Sequence, residues 1–171
     1  SAAWRGRLQD GAASSALRWR HLRLLYLSVD RERASDKIQI YFTEKRYPFK
    51  RIYEPKNLIP AMGGPERSSL CVELCVFDGD ETDRADEGEL LERVVEGVSG
   101  FYRLPPDRIG FLFSRRVPHA YAVYREGYRT HLGALAAALF PLDNFLSYGR
   151  QGSFRYNHLV DRIIDASDAV V

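Results

Sequence analysis

Arg18-Trp19-Arg20-His21-Leu22-Arg23-Leu24-Leu25-Tyr26-Leu27-Ser28-Val29 reads as one long strand. Trp19, His21, Arg23 and Leu25 form one row and Arg20, Leu22, Leu24 and Tyr26 the other, until the charged turn Asp30-Arg31-Glu32 ends the run. Lys37-Ile38-Gln39-Ile40-Tyr41-Phe42 follows at hairpin distance as a second strand. Phe49-Lys50-Arg51-Ile52-Tyr53-Glu54 forms a third, stopped by Pro55. The loop 55–67 holds Pro60, Gly63, Gly64 and Pro65, which break regular structure, and Ser68–Val76 is a fourth strand. Four strands with no helix between them predict an antiparallel meander.

Downstream the period changes. Asp86 is placed to cap a helix whose first turn holds Glu87 and Glu89, with Leu90, Leu91, Val94, Val95 and Val98 on its inner face. Pro105-Pro106 ends that unit, and Ile109–Val117 is again strand-like. Pro118 predicts an edge or bend for the continuation His119–Tyr124. A second helix is expected over 125–139 through Tyr128, Leu132, Leu135 and Leu139. Asn144–Tyr148 reads as a short strand entering the turn Gly149-Arg150-Gln151-Gly152, and a last amphipathic helix is expected from Phe154, burying Leu159, Ile163 and Ile164. Residues 1–16 are small and aperiodic, as in a flexible terminus or linker. The fold class is α+β: a mostly antiparallel (mixed) sheet of about five or six strands with helices packed against it.

Composition narrows the functional classes. With 171 residues, 45% hydrophobic and 28% charged, the chain can bury one proper core. No apolar run approaches the roughly 20 residues of a membrane-spanning helix, so no integral membrane segment is expected. Cys71 and Cys75 lie four apart on a strand, about 13 Å between Cα atoms, beyond disulfide reach. Core thiols in a reducing cytosol, hence a cytoplasmic protein, are the expectation, and no second Cys/His cluster suggests a metal. Charge is uneven: residues 1–60 carry 13 basic against 6 acidic groups, and 61–100 carry 3 against 11. The basic first third could face an anionic ligand, or could be a solvated sheet edge. Nucleic-acid binding, suggested only by Trp19 among Arg18, Arg20 and Arg23, lacks a recognised module and is not expected.

The turn at Gly149–Gly152 carries the most chemistry. Glycines at both ends allow positive φ and close approach to a ligand, and a following helix start would present N–H groups to an anion such as pyrophosphate. Alone, such a turn is an ordinary structural one. Its surroundings add more: Asn144-Phe145-Leu146-Ser147-Tyr148-Gly149-Arg150-Gln151-Gly152-Ser153-Phe154-Arg155-Tyr156-Asn157-His158-Leu159-Val160-Asp161 resembles a C-terminal signature of certain flavoproteins. These are the protoporphyrinogen-oxidase-like and UDP-galactopyranose-mutase-like members of the FAD-dependent amine-oxidase-like superfamily. Val117-Pro118-His119-Ala120-Tyr121-Ala122-Val123-Tyr124 is similar to their V-P-x-A-Y-x-x-Y segment, and Arg51-Ile52-Tyr53-Glu54-Pro55-Lys56-Asn57 to their R-x-x-E-P-x-N strand end. After Tyr156 the text departs from the usual pattern, with Asn157-His158-Leu159.

The resemblance implies that Gly149, Arg150, Gln151, Gly152, Tyr156 and Asn157 contact the cofactor FAD, and that Arg51, Tyr121 and Tyr124 line a pocket for a small-molecule substrate. No strand-linked G-x-G-x-x-G is present, so the N-terminal dinucleotide-binding domain of such proteins is absent and would be the partner of this chain. The opening Ser1-Ala2-Ala3-Trp4 reads as a fragment cut from a longer chain, or one carrying a tag scar. Residues 17–143 then correspond to a substrate-binding domain and 144–171 to a strand-turn-helix returning to the flavin. The expected function is the substrate-binding fragment of an FAD-dependent oxidoreductase, inactive by itself. The alternatives are a fragment of a sugar-nucleotide flavoenzyme and a cofactor-less binding or interaction module. His119 is a titratable group without a partner in sequence, and no catalytic triad order or carboxylate pair stands out. In flavoenzymes the cofactor carries the redox step, so that absence is compatible with the reading.

Overall fold

The computed structural model describes residues 11–142 and 144–156. They fall into two compact units: His21–Pro118, and a terminal unit whose described residues are 11–20 and those from His119 to 156. A sheet of five strands is the frame: β1 (Arg18–Val29), β2 (Gln39–Tyr41), β3 (Arg51–Tyr53), β4 (Ser68–Val76) and β5 (Ile109–Val123), in the order β2-β3-β4-β1-β5. β1 pairs antiparallel with β4, Leu25 opposite Val72, and β3 pairs antiparallel with both β2 and β4. The Asp30 N–H donates to the Arg108 carbonyl at 3.0 Å, and the Tyr26 ring stacks on Phe113 at 4.3 Å, so β5 runs antiparallel to β1. With five helices, α1 (Gly11–Ala16), α2 (Glu81–Arg84), α3 (Glu87–Tyr102), α4 (Tyr128–Leu139) and α5 (Gly149–Gly152), the architecture is the expected α+β fold.

The strands are not all joined as successive hairpins, which corrects the simple meander. β2-β3-β4 is a meander, and β1 lies beside β4, the strand order of a Greek key. The cause is in the connections. Residues 30–38 do not turn β1 back on itself but are held by the end of β3 through Glu54, which is 1% exposed. Its carboxylate accepts from the Ala34 N–H at 2.8 Å, the Ser35 N–H at 3.0 Å, the Asn57 side-chain amide at 3.0 Å and the Ser68 hydroxyl at 2.7 Å. Lys56 is buried as well. Its ammonium donates to the carbonyls of Glu32, Gly64 and Arg67 at 2.8, 2.6 and 3.0 Å. Two charges thus replace the hydrogen bonds that these loops lack, and six of these seven contacts span 8 to 24 residues of sequence.

One sheet face is apolar. Leu25, Leu27, Val29, Ile52, Leu70, Val72 and Leu74 are buried against Leu90, Val94, Val98 and Tyr102 of α3. Asp86 caps α3 by accepting from the Gly88 and Glu89 N–H groups, as its sequence predicts. Where the row of β1 passes beyond α3 it turns polar. The His21 ring is held by Asp78 at 3.1 Å, and Arg23 donates to the carbonyls of Thr82 and Ala85. The opposite face carries Cys71, Glu73 and Cys75 of β4, and no disulfide joins the cysteines. Burial pushes the Cys71 thiol up and the Tyr26 hydroxyl, which bonds to it, to about 12, so both stay protonated near neutrality.

Near its C-terminus, α3 contains two glycines whose settings differ. A methyl group at Gly97 would lie 2.9 Å from the Phe49 ring, so the aromatic packing requires glycine there. At Gly100 an added Cβ meets nothing within 4 Å. Glycine in a helix costs about 1 kcal/mol relative to alanine, and at Gly100 no neighbour demands it. The helix ends at Arg103, a non-glycine residue in the left-handed region with φ 52°.

Two further expectations change. Residues 11–16, read as aperiodic, form the short helix α1, which packs on α4. Small residues carry little local signal but fit against a neighbouring helix. The expectation at Pro118 agrees with the structure: β5 is an edge strand that tolerates the missing donor and continues to Val123, and a bend falls on His119, at φ 52°. Residues 144–148 are not a strand and join no ladder, and the helix expected after Phe154 lies outside the described residues from 157 onward. No described helix is long and apolar enough to cross a membrane.

Removing the Glu54 carboxylate strands several buried donors at once. Glu54→Ala is therefore expected to lower the unfolding free energy by about 3 kcal/mol or more in urea titration; a loss under about 1 kcal/mol would show the knot to be dispensable.

A second expectation concerns pH. Asp78 is held below the usual carboxylate range first by the Arg116 guanidinium and then by His21, while Asp83 is held down first by the Gly79 N–H and then by Arg116. A lowered folded-state pKa contributes stability above the ordinary carboxylate range, and that contribution is lost as pH falls through the lowered value. In an NMR titration, Arg116→Ala should return Asp78 most of the way to its ordinary pKa, whereas Asp83 keeps more of its depression. An unmoved Asp78 would contradict this assignment.

Candidate functional site

The residues singled out around the glycine turn converge in the terminal unit. β5 ends with Tyr121 and Val123, Tyr124 follows, and Gly127, with φ 78°, starts α4. The chain then returns through residues 144–148 to α5. Gly149 takes φ 72°, where a side chain is strained, and a Cβ on Gly152 would lie 2.9 Å from the Ser147 hydroxyl and 3.2 Å from its carbonyl carbon. Both glycines of the motif are thus required by local geometry. Ser147 donates to the Gly152 carbonyl at 2.9 Å and the Ser153 N–H to the Gly149 carbonyl at 2.9 Å, which closes the turn.

That turn is itself the helix. α5 spans only Gly149–Gly152, and the following helix, whose N–H groups the sequence suggests for pyrophosphate, lies outside the described residues. Among the described residues the Arg150 side chain is the polar group that stands out. Its guanidinium lies 4.6 Å from the centroid of Tyr121 and 4.4 Å from that of Tyr156, while the two rings are 5.7 Å apart. A cation set against two adjoining phenol rings gains from both quadrupoles. The same stacking shuts water from the Arg150 Nε and Nη2 atoms, which are buried and have no hydrogen-bond partner among the described residues. Buried N–H groups of a charged donor left unpaired cost about 1–3 kcal/mol, a cost that an acceptor placed there would offset.

Aromatic side chains brace this arrangement. Phe154, 2% exposed and at φ 51°, has Trp19 at 4.8 Å, Tyr128 at 6.0 Å and Tyr124 at 6.2 Å between ring centroids. Tyr124 stacks on Tyr128 at 4.8 Å, and its hydroxyl accepts from the Tyr156 N–H at 2.5 Å. His119 meets the edge of Trp19 at 5.6 Å.

Of the residues proposed from sequence, Gly149, Arg150, Gln151, Gly152, Tyr156, Tyr121 and Tyr124 therefore lie in one unit, with Gln151 exposed. Asn157 lies outside the described residues. Arg51 belongs to the other unit, where it bonds Glu73 across β4 and donates to Tyr41 at 3.2 Å and Gln39 at 3.4 Å. Arg51 and Glu54 do not pair, as their opposite strand faces require. Sequence reasoning missed Trp19, Tyr128 and Phe154 as supports. Their only signal was the density of aromatic residues near the motif.

No family model and no curated protein matches the chain. Solved structures do. Reduced UDP-galactopyranose mutase superposes with a TM-score of 0.73 at 18% identity, over 89% of this chain and 32% of that one. A provisionally named protoporphyrinogen oxidase from Exiguobacterium sp. 255-15 gives 0.66 at 11% identity, over 90% of this chain and 34% of that one. The likeness shows a shared fold with part of each flavoprotein, and the chain spans about a third of their length.

Phe154 packs among three rings with almost no exposure, so Phe154→Ala should cost about 3–5 kcal/mol. Trp19 fluorescence would follow the loss in urea titration. An unchanged midpoint would mean that the turn stands without this support.

Proposed function

We propose that this chain is the substrate-side part of an FAD-dependent oxidoreductase, the dinucleotide-binding domain being supplied by sequence beyond it. The observation that carries the reading is Arg150: a cation held against Tyr121 and Tyr156, with two buried N–H groups aimed at no acceptor among the described residues. Those donors fit a flavin, whose ring carbonyls and pyrophosphate both accept from a guanidinium. In this reading Gly149, Gly152 and Gln151 bring the backbone close to the cofactor, and Asn157 continues that edge. Tyr156 holds Arg150, and Tyr121 and Tyr124 present ring faces to the substrate. Arg51 is assigned a substrate contact from the sheet face it shares with Tyr41 and Glu73. When bound, the flavin supplies hydride transfer, while the chain's own residues bind, orient and exclude water. By itself the chain is expected to show no turnover.

A second reading, a flavoenzyme acting on a sugar nucleotide without net redox change, draws support from the higher likeness to UDP-galactopyranose mutase. The two separate by whether an external acceptor is consumed during turnover.

Arg150→Ala in the protein carrying its dinucleotide-binding domain should lower flavin occupancy at least about tenfold, in keeping with the loss of a charge-assisted contact, with an unchanged far-UV CD spectrum. Undiminished occupancy would contradict the role given to Arg150.

A further inference from the structure

A second site lies in the His21–Pro118 unit, independent of the Arg150 cluster. A cavity of about 510 Å³ opens at the C-terminal end of α3, lined by Arg46, Tyr47, Arg93, Gly100, Phe101 and Arg103, with Glu96 as its one carboxylate. That volume is in the range of small-molecule sites. Three guanidiniums against one carboxylate set its charge, although residues 61–100 are strongly acidic as a whole.

Two backbone choices here run against what stability alone would select. Gly100 sits in a helix where an alanine Cβ would meet nothing within 4 Å, and Arg103 occupies a left-handed position, φ 52°, that favours glycine. Exchanging the two residue types would ease both. The outcome of keeping them is a cavity with no side chain at Gly100 and a guanidinium at Arg103, and departures of this kind gather at ligand sites.

The cations are available. Arg103 makes no ion pair among the described residues. Arg46 pairs with Glu44 at 2.7 Å, but both side chains are more than half exposed, and Arg93 reaches Glu81 only at 3.5 Å. Exposed pairs of this sort contribute little and exchange readily for a better anion. An aromatic wall completes the site. Phe101, 38% exposed, is braced edge-on by Phe42 at 4.8 Å and Tyr102 at 4.9 Å, and Tyr47 stacks on Phe49 with the Arg46 guanidinium 4.8 Å from its ring centroid.

We propose that this cavity binds a small phosphate ester bearing a flat ring, of which a nucleoside monophosphate is the simplest. The phosphate is held by Arg46, Arg93 and Arg103, which outweigh Glu96 and the negative end of the α3 dipole. The ring packs on Phe101 in the space left by Gly100. This goes beyond the flavin reading and does not rest on it.

Isothermal titration of the chain at low salt with AMP, adenosine and inorganic phosphate tests the assignment. AMP should bind at least about tenfold more tightly than either part. Gly100→Phe places a ring in the cavity from a position whose Cβ meets nothing within 4 Å, and should weaken AMP binding at least about tenfold without lowering the melting temperature. Arg103→Ala should weaken it to a similar degree. An absence of AMP binding, AMP binding no tighter than phosphate, or unchanged affinity in Gly100→Phe and Arg103→Ala would each overturn the proposal.

Discussion

The buried Glu54 carboxylate is the constraint on which the sheet unit depends. It lies just past β3 and takes hydrogen bonds from residues 34, 35, 57 and 68, which belong to two loops and the start of β4. Two residues later Lys56 ties residues 32, 64 and 67 from the donor side. Without these ties the loop after β1 would be free to form a hairpin with β2. With them, β1 is left to pair with β4, and the apolar rows of the two strands meet α3 together. A charged pair of loop anchors therefore selects the strand order that the hydrophobic core then stabilises. The segment Arg51–Asn57, which resembles a flavoprotein motif, owes much of its composition to this structural task.

The sequence made most elements legible where local chemistry and tertiary demand agreed. β1 and β4 have long apolar rows with breakers at their ends, and α3 has an aspartate cap followed by apolar residues at helical spacing. Residues 11–16 were illegible because small side chains carry little periodic signal, and the backbone packs on α4 as a short helix. The strand expected at 144–148 rested on apolar character alone; Leu146 and Tyr148 remain more than half exposed, and no ladder forms. At Pro118 the local rule held for the missing donor, but edge position let the strand run on. Strand order itself was hidden, because the bonds of Glu54 and Lys56 span 3 to 24 residues of sequence and leave no periodic trace.

The candidate site was legible in its membership more than in its mechanics. The two glycines answer to real constraints, a positive φ and a close approach to Ser147. The helix whose start the sequence offers to an anion lies outside the described residues, and among the described ones the feature that stands out is a side chain. Arg150 is desolvated by stacking against Tyr121 and Tyr156, residues 29 and 6 positions away, which no spacing rule connects. Arg51 is tied to Glu73 across neighbouring strands, a pairing that its sequence spacing does not announce.

The central claim is that the unpaired Arg150 donors await a flavin. The most direct measurement is the cofactor content of the protein expressed in its natural reading frame and purified under mild conditions, read by visible absorbance and by mass spectrometry of the released ligand. The account predicts stoichiometric FAD. A colourless protein that takes up no FAD on reconstitution would contradict it.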